Sequence, residues 1–214
     1  MSQKEETEVG TIVFPEGRVI NCSLFEKDAY EDAKGNKGTP SYKIEMAYEP
    51  DDLIPAEDQI VDYAISLWGP SAEDQYNDNI IKSPIIEGDK LAAKREKKGK
   101  AGDAYKGKLV IRSNTQFNLH GQNAPGGVYV CGPNAEQIEV VNQSKVYNGC
   151  YGILAGTVKE YENNDGEKAL KIYLSGFQKT KDGERLASGT DFSKVFQPVA
   201  GAASSESGGR RRRG

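Results

Sequence analysis

Hydrophobic and polar residues alternate most cleanly in SYKIEMAY, Ser41 to Tyr48. Tyr42, Ile44, Met46 and Tyr48 share one parity, and Lys43 and Glu45 the other. A period of two puts alternate side chains on opposite faces, so the segment predicts a half-buried strand. RVINCSLFE, with Gly17 before it, has strand composition. YKGKLVIRSN, 105–114, sets Lys106, Lys108 and Arg112 against Leu109 and Ile111, and GVYVCGPN predicts a short strand and a turn. VYNGCYGILAGTVKEYE, 146–162, is long enough for a bent strand. Val146, Cys150, Leu154 and Val158 share a parity with Gly152 and Gly156, against Tyr147, Tyr151, Ile153, Thr157, Lys159 and Tyr161. Glycines inside a strand mark bulges or bends, the device that curls a sheet into a small barrel.

NNDG, 163–166, predicts a hairpin turn leading into LKIYLSGFQK, Leu170 to Lys179. As a strand, the latter has Leu170, Ile172 and Leu174 on one face and Lys171, Tyr173, Phe177 and Lys179 on the other. KTKDGERLA then predicts a terminal hairpin around Asp182-Gly183. The period changes only in PAEDQIVDYAISLWG, where Ile60, Tyr63, Ala64, Leu67 and Trp68 form a helical stripe over 55–68 closed by Gly69-Pro70. SAEDQYNDN and TQFNLHGQNAPGG are expected as loops, IIKSPIIEGD as a short apolar stretch, and AEQIEVV as either strand or helix.

Charge changes this picture more than composition does. The chain has 214 residues and a net charge of −4, but its charges are segregated. Residues 1–89 hold 7 basic and 20 acidic side chains, residues 90–112 hold 9 and 2, and residues 113–214 hold 12 and 10. Local potential decides where an anion docks, so the basic island outweighs the total. Three distant cysteines without a CxxC pair suit a reducing cytoplasm. The acidic N-terminus lacks a signal-peptide core, and no apolar run approaches the length of about 20 residues that spans a bilayer.

Catalytic and metal chemistry find little support. His120 has no nucleophile near it in sequence, no HExxH occurs, and the carboxylate pairs Asp51-Asp52 and Glu57-Asp58 precede or start a helix, where acids favour the macrodipole. No cofactor or metal is implied. The face of Tyr, Phe and Lys on the last strands instead suits stacked bases and phosphates. Tyrosines on strands also serve cross-strand packing, and edge lysines also prevent aggregation. The same pattern on three strands favours binding. The candidate binding residues are Lys94, Arg95, Lys97, Lys98, Lys100, Tyr105, Lys106, Lys108, Arg112, Tyr147, Tyr151, Lys159, Lys171, Tyr173, Phe177 and Lys179, with stacking on Tyr151, Tyr173 and Phe177.

The blocks YKGKLVIRSN, VYNGCYG, NNDG and LSGFQKTKDGERL resemble bacteriophage single-stranded DNA-binding proteins of the OB-fold type, loosely from Gly17 to Phe196. The resemblance implies a sequence-tolerant coat on single-stranded DNA in phage replication and recombination, without catalysis, and places Tyr147, Tyr151 and Phe177 in matching blocks. Many such proteins end in an acidic tail that recruits replication partners, whereas this sequence closes on SGGRRRRG.

The expected architecture is mainly β. An OB-fold-like curved barrel over 13–198, with one amphipathic helix and a basic loop at 90–104, stands between a flexible acidic stretch, 1–12, and a disordered Gly/Ser/Arg tail, 199–214. Single-stranded DNA is the expected partner, phage replication or recombination proteins are further candidates, and the host cytoplasm is the expected site of action. Two alternatives stand beside this one: a phage structural or interaction domain whose aromatic face meets protein, and an acid-dependent nuclease.

Overall fold

The computed structural model describes residues 10–29, 38–117, 129–136, 138, 140–163 and 165–186. The tail drawn at 199–214, the first nine residues and His120 lie outside them. The described residues include seven strands: β1 (Thr11–Asp28), β2 (Ser41–Tyr48), β3 (Ile85–Glu87), β4 (Leu109–Thr115), β5 (Tyr129–Cys131), β6 (Tyr151–Glu162) and β7 (Lys168–Lys181). The sheet order is β3-β4-β2-β1-β6-β7-β5. A parallel pairing of β4 with β7, Ser113 to Ile172 and Asn114 to Tyr173, closes β1-β2-β4-β7-β6 into a five-stranded barrel. That is the OB topology.

The barrel interior is filled by the inward parity of each strand: Ile12 and Phe14, Ile44 and Met46, Ile111, Leu154 and Val158, Ile172 and Leu174. Helix α1 (Pro50–Trp68) adds Leu53, Ala56, Ile60 and Ala64 to the same core. It starts earlier than the stripe suggests. Pro50 takes the first turn, where a missing N–H costs nothing, Asp51 and Asp52 face the positive end of the dipole, and Pro55 lies inside the helix.

Several expectations need correcting. Strand β1 already includes Thr11 and a fully buried Ile12, so residues 11 and 12 do not belong to the flexible stretch expected over 1–12. SAEDQYNDN holds a short helix, α2 (Ala72–Asn77), and AEQIEVV runs into a 3-10 turn, Val140–Lys145. The basic loop at 90–104 is largely ordered: α3 (Gly88–Glu96) leads to a 3-10 turn at Asp103–Tyr105, and β4 begins only at Leu109. The NNDG turn forms as expected. Asn163 Oδ1 accepts from the N–H groups of Asp165 and Glu167, and Gly166 takes φ 77°. Among the described residues no hairpin forms at Asp182-Gly183; β7 ends at Lys181.

The bend of the last hairpin has the largest consequence. Ala155 pairs with Gly176 but Gly156 pairs with Leu174, so Ser175 is an extra residue in β7. One inserted residue swaps every later side chain to the other face. Lys171 and Tyr173 therefore point outward as expected, while Phe177 and Lys179 turn inward and are only 2% and 9% exposed.

Candidate functional site

Two strand faces and one helix build the site. The outward residues of β2 and β4 are cross-strand partners, Lys43 with Asn114, Glu45 with Arg112 and Ala47 with Val110. The apolar end of this face is covered: Leu91 and Ala92 of α3 and Tyr105 pack over Ala47, Val110 and Ile20. The polar end stays open beside α3, and β7 joins it because Asn114 is also the partner of Tyr173. Lys43, Asn114, Tyr173 and Thr157 thus form one row across four strands, about 4.8 Å from strand to strand.

Open space along this row consists of two adjoining grooves that share Asn114 and Lys171. The first, of about 560 Å³, is lined by seven cations, Lys43, Lys94, Arg95, Lys98, Lys100, Arg112 and Lys171, and by one carboxylate, Glu45. Glu45 is already engaged: Arg112 Nε donates to it at 2.9 Å and the Tyr105 hydroxyl at 2.8 Å. Lys43 is likewise paired, with Asp28, so the positive excess of this concave groove rests chiefly on the cations of α3 and the turn after it, and on Lys171. Burial holds the Lys171 ammonium below the ordinary lysine range, and no carboxylate among the described residues pairs with it. The second groove, about 650 Å³, is lined by Thr39, Ser41, Asn114, Thr115, Gln116, Phe117, Lys171 and Tyr173. Over the Tyr173 ring stand Lys171 Nζ at 4.8 Å from the centroid and Lys159 Nζ at 5.7 Å. Phe117 is 61% exposed at this groove.

Of the sequence candidates, Lys94, Arg95, Lys98, Lys100, Arg112, Lys171, Tyr173 and Lys159 are brought together here. Lys97 ends α3 and is exposed, outside the groove lining. The others serve elsewhere. Phe177 is sealed in the core, so its ring faces are closed to a base. Tyr105 is 2% exposed beneath the Arg95 guanidinium, 4.9 Å from its centroid; burial and the neighbouring Glu45 push its hydroxyl well above the ordinary tyrosine range. Its part is to seat α3. Lys106 is tied to Glu96 and Asp103, and Lys108 to Glu49. Lys179 pairs with Asp182 at 2.6 Å.

The two remaining tyrosines also lie apart from the groove. The Tyr147 hydroxyl donates to Asp182 Oδ1 at 2.8 Å, and the Arg185 guanidinium lies 3.9 Å from its ring centroid. Tyr151 is outward like Tyr173 but six residues along β6 from Tyr173's partner Thr157, roughly 20 Å away. It lines a separate pocket with Arg18 and Lys108 among four carboxylates, Glu16, Glu49, Asp52 and Asp103. A single face uniting Tyr151, Tyr173 and Phe177 does not exist.

Sequence reasoning missed Lys43, Asn114 and Phe117. Lys43 was on the outward parity of β2, but its role depends on β4 lying beside it. Phe117 sat in a segment whose polar neighbours predicted only loop.

A cation-lined groove leading into a Tyr-Phe groove on the β2-β4 face of a five-stranded barrel is where OB barrels take oligonucleotides. The model of one family, described as Enterobacter phage Enc34, ssDNA-binding protein, matches residues 18–207. The chain belongs to that family. Among solved structures, it is similar to the single-stranded DNA-binding protein from bacteriophage Enc34, with 19% identity, TM-score 0.56, and coverage of 92% of this chain and 97% of that one. The same phage protein in complex with ssDNA aligns at 19% identity and TM-score 0.55, over 87% of this chain and 97% of that chain. Bacteriophage T7 gp2.5, also a single-stranded DNA-binding protein, aligns at 12% identity and TM-score 0.53, over 91% and 99%. No curated protein matches the sequence. At these identities the structural likeness establishes the OB fold; the family model establishes the membership. No helix among the described residues is long and apolar enough to cross a membrane.

Proposed function

We propose that this chain binds single-stranded DNA without sequence preference during phage DNA replication and recombination in the host cytoplasm, and that the α3-β2-β4-β7 groove is where it does so. The backbone runs along Lys94, Lys98, Lys100, Arg112 and Lys171, and bases stack on Tyr173 and Phe117. The observation that carries this reading is the lining of the groove: seven cations, of which Lys43 pairs with Asp28 and Arg112 with Glu45, opening directly onto two aromatic rings. Stacking contributes about 1–3 kcal/mol per base and does not distinguish bases, because every base has a π-face. Asn114, Gln116 and Ser41 lie within reach of base edges in the same groove. Membership of the family supports the ligand; the positive groove supports the place. The reading assigns the chain no catalytic step.

The test is fluorescence anisotropy with labelled oligo-dT, with and without Mg²⁺, and with duplex as competitor. Expected are tight binding that duplex does not displace, no cleavage, and a steep fall of affinity with salt. Equal preference for duplex, or an affinity independent of salt, overturns the proposal.

A further inference from the structure

Among the described residues, Glu45 is the single carboxylate lining the cationic groove, and phosphate binding gives it no task. A carboxylate among such cations lowers the potential that draws an anion, so on charge alone the position is a poor one. Its geometry is more telling. The side chain is only 15% exposed, and its two oxygens serve different elements. Oε1 accepts from Arg112 Nε at 2.9 Å, and Oε2 accepts from the Tyr105 hydroxyl at 2.8 Å.

These two bonds tie the floor of the groove to its wall. On the floor, Glu45 of β2 and Arg112 of β4 are cross-strand partners. On the wall side, Tyr105 is locked against α3. Its ring lies beneath Arg95, 4.9 Å from centroid to guanidinium carbon, and its carbonyl oxygen would lie 1.9 Å from a Cβ at Gly88, the first residue of the helix. Arg95 Nε donates in turn to the Ala101 carbonyl at 2.9 Å. Contacts therefore run without a break from Arg112 through Glu45 and Tyr105 to Arg95, from a floor cation to a wall cation. Each arginine is anchored through Nε, which sets the guanidinium plane and leaves the Nη pair to grip phosphate oxygens. Length matters here as much as charge: aspartate is one methylene, about 1.5 Å, shorter and cannot keep both bonds from the same backbone.

We infer that Glu45 is a positioning residue for DNA binding, which aims Arg112 into the groove and holds the α3 wall in register with the β2-β4 floor. This rests on the groove reading above and deepens it. Glu45 acts through Arg112 and Tyr105 rather than by touching DNA.

The experiment compares the full chain with Glu45→Asp, Arg112→Gln and the double variant. Anisotropy on labelled oligo-dT is read across a salt series, with thermal unfolding of each preparation. Arg112→Gln removes one phosphate contact, which flattens the log-log salt slope by about 0.7 and raises Kd about fivefold at 0.1 M salt. Glu45→Asp keeps the charge and is expected to reproduce that loss. The double variant is expected to lose no more than either single one, as for residues that act as a unit. Tyr105→Phe keeps the ring and removes only the hydroxyl, so it should raise Kd by less than Glu45→Asp does. Glu45→Asp with the parent's slope and Kd overturns the inference whatever its melting midpoint, because a purely electrostatic role survives in Asp and a purely structural one moves stability alone. A double variant that loses the sum of the two singles overturns it as well, and an unchanged Kd in Tyr105→Phe overturns the link from floor to wall. If Arg112→Gln leaves the slope unchanged, the groove reading fails at Arg112 and the inference falls with it. A flattened slope in Arg112→Gln beside a parent-like Glu45→Asp sinks the inference alone.

Discussion

Replacing Tyr173 by Ala removes one ring from the centre of the outward row while leaving the core untouched. Tyr173 is only partly buried, its partners in register are Asn114 and Thr157, and its ring carries Lys171 and Lys159 rather than packed hydrophobic neighbours. The folding cost is therefore the loss of strand propensity and some lysine-stem packing, on the order of 1 kcal/mol. The binding cost is one base stack, about 1–3 kcal/mol, which is a rise in Kd of about 5- to 150-fold. Anisotropy with labelled oligo-dT at fixed salt measures the affinity, and thermal unfolding of the same preparation separates it from misfolding. Tyr173→Phe keeps the ring and the stack and is expected to bind like the parent. If Tyr173→Ala melts normally and its Kd changes less than twofold, no base stacks there, and the aromatic half of the site is wrong.

Phe177→Ala should behave in the opposite way: truncating a sealed aromatic costs about 3–5 kcal/mol of stability, visible as a lowered melting midpoint, with near-parent affinity per folded molecule. Lys94→Ala is expected to flatten the salt slope by about 0.7 at little cost in stability, and an unchanged slope would remove Lys94 from the DNA path. Burial lowers the pKa of Lys171 from the usual 10.5, so the folded chain sheds this proton before the unfolded one does. Between the lowered value and 10.5 stability rises with pH, while phosphate affinity falls; Lys171→Arg should abolish that early fall in a pH titration of binding. Gly149→Ala places a Cβ against the Glu184 carbonyl at a φ of 114° and should detach residues 182–186, read as faster amide exchange at Leu186.

Legibility in the sequence followed from how local each cause was. The parity of β2 and the stripe of α1 depend only on neighbours in the chain, and both appear in the structure where the pattern put them. The parity of β7 depends on a bulge opposite Ala155, a property of the pairing between two strands, so Phe177 and Lys179 were assigned to the wrong face. Helix α3 was hidden because Lys94, Arg95, Glu96 and Lys97 swamp its short apolar contribution, Leu91 and Ala92, and its stability comes from the face of β2 and β4 that it covers. The basic island was legible as charge. That it forms the wall of a groove, and that Lys43 and Asn114 complete it, required knowing that β4 lies between β2 and β7. Tyr151 and Tyr173 share an outward orientation, but the length of β6 separates them.

The central claim is that DNA lies along the α3-β2-β4-β7 groove. Hydrogen exchange of the full chain with and without saturating oligo-dT tests it most directly. The account predicts slowed exchange in segments 41–45, 94–100, 112–117 and 171–173, with little change around Tyr151 or along α1. Protection centred on Arg18, Tyr151 and Lys181, with the groove segments unaffected, would contradict it.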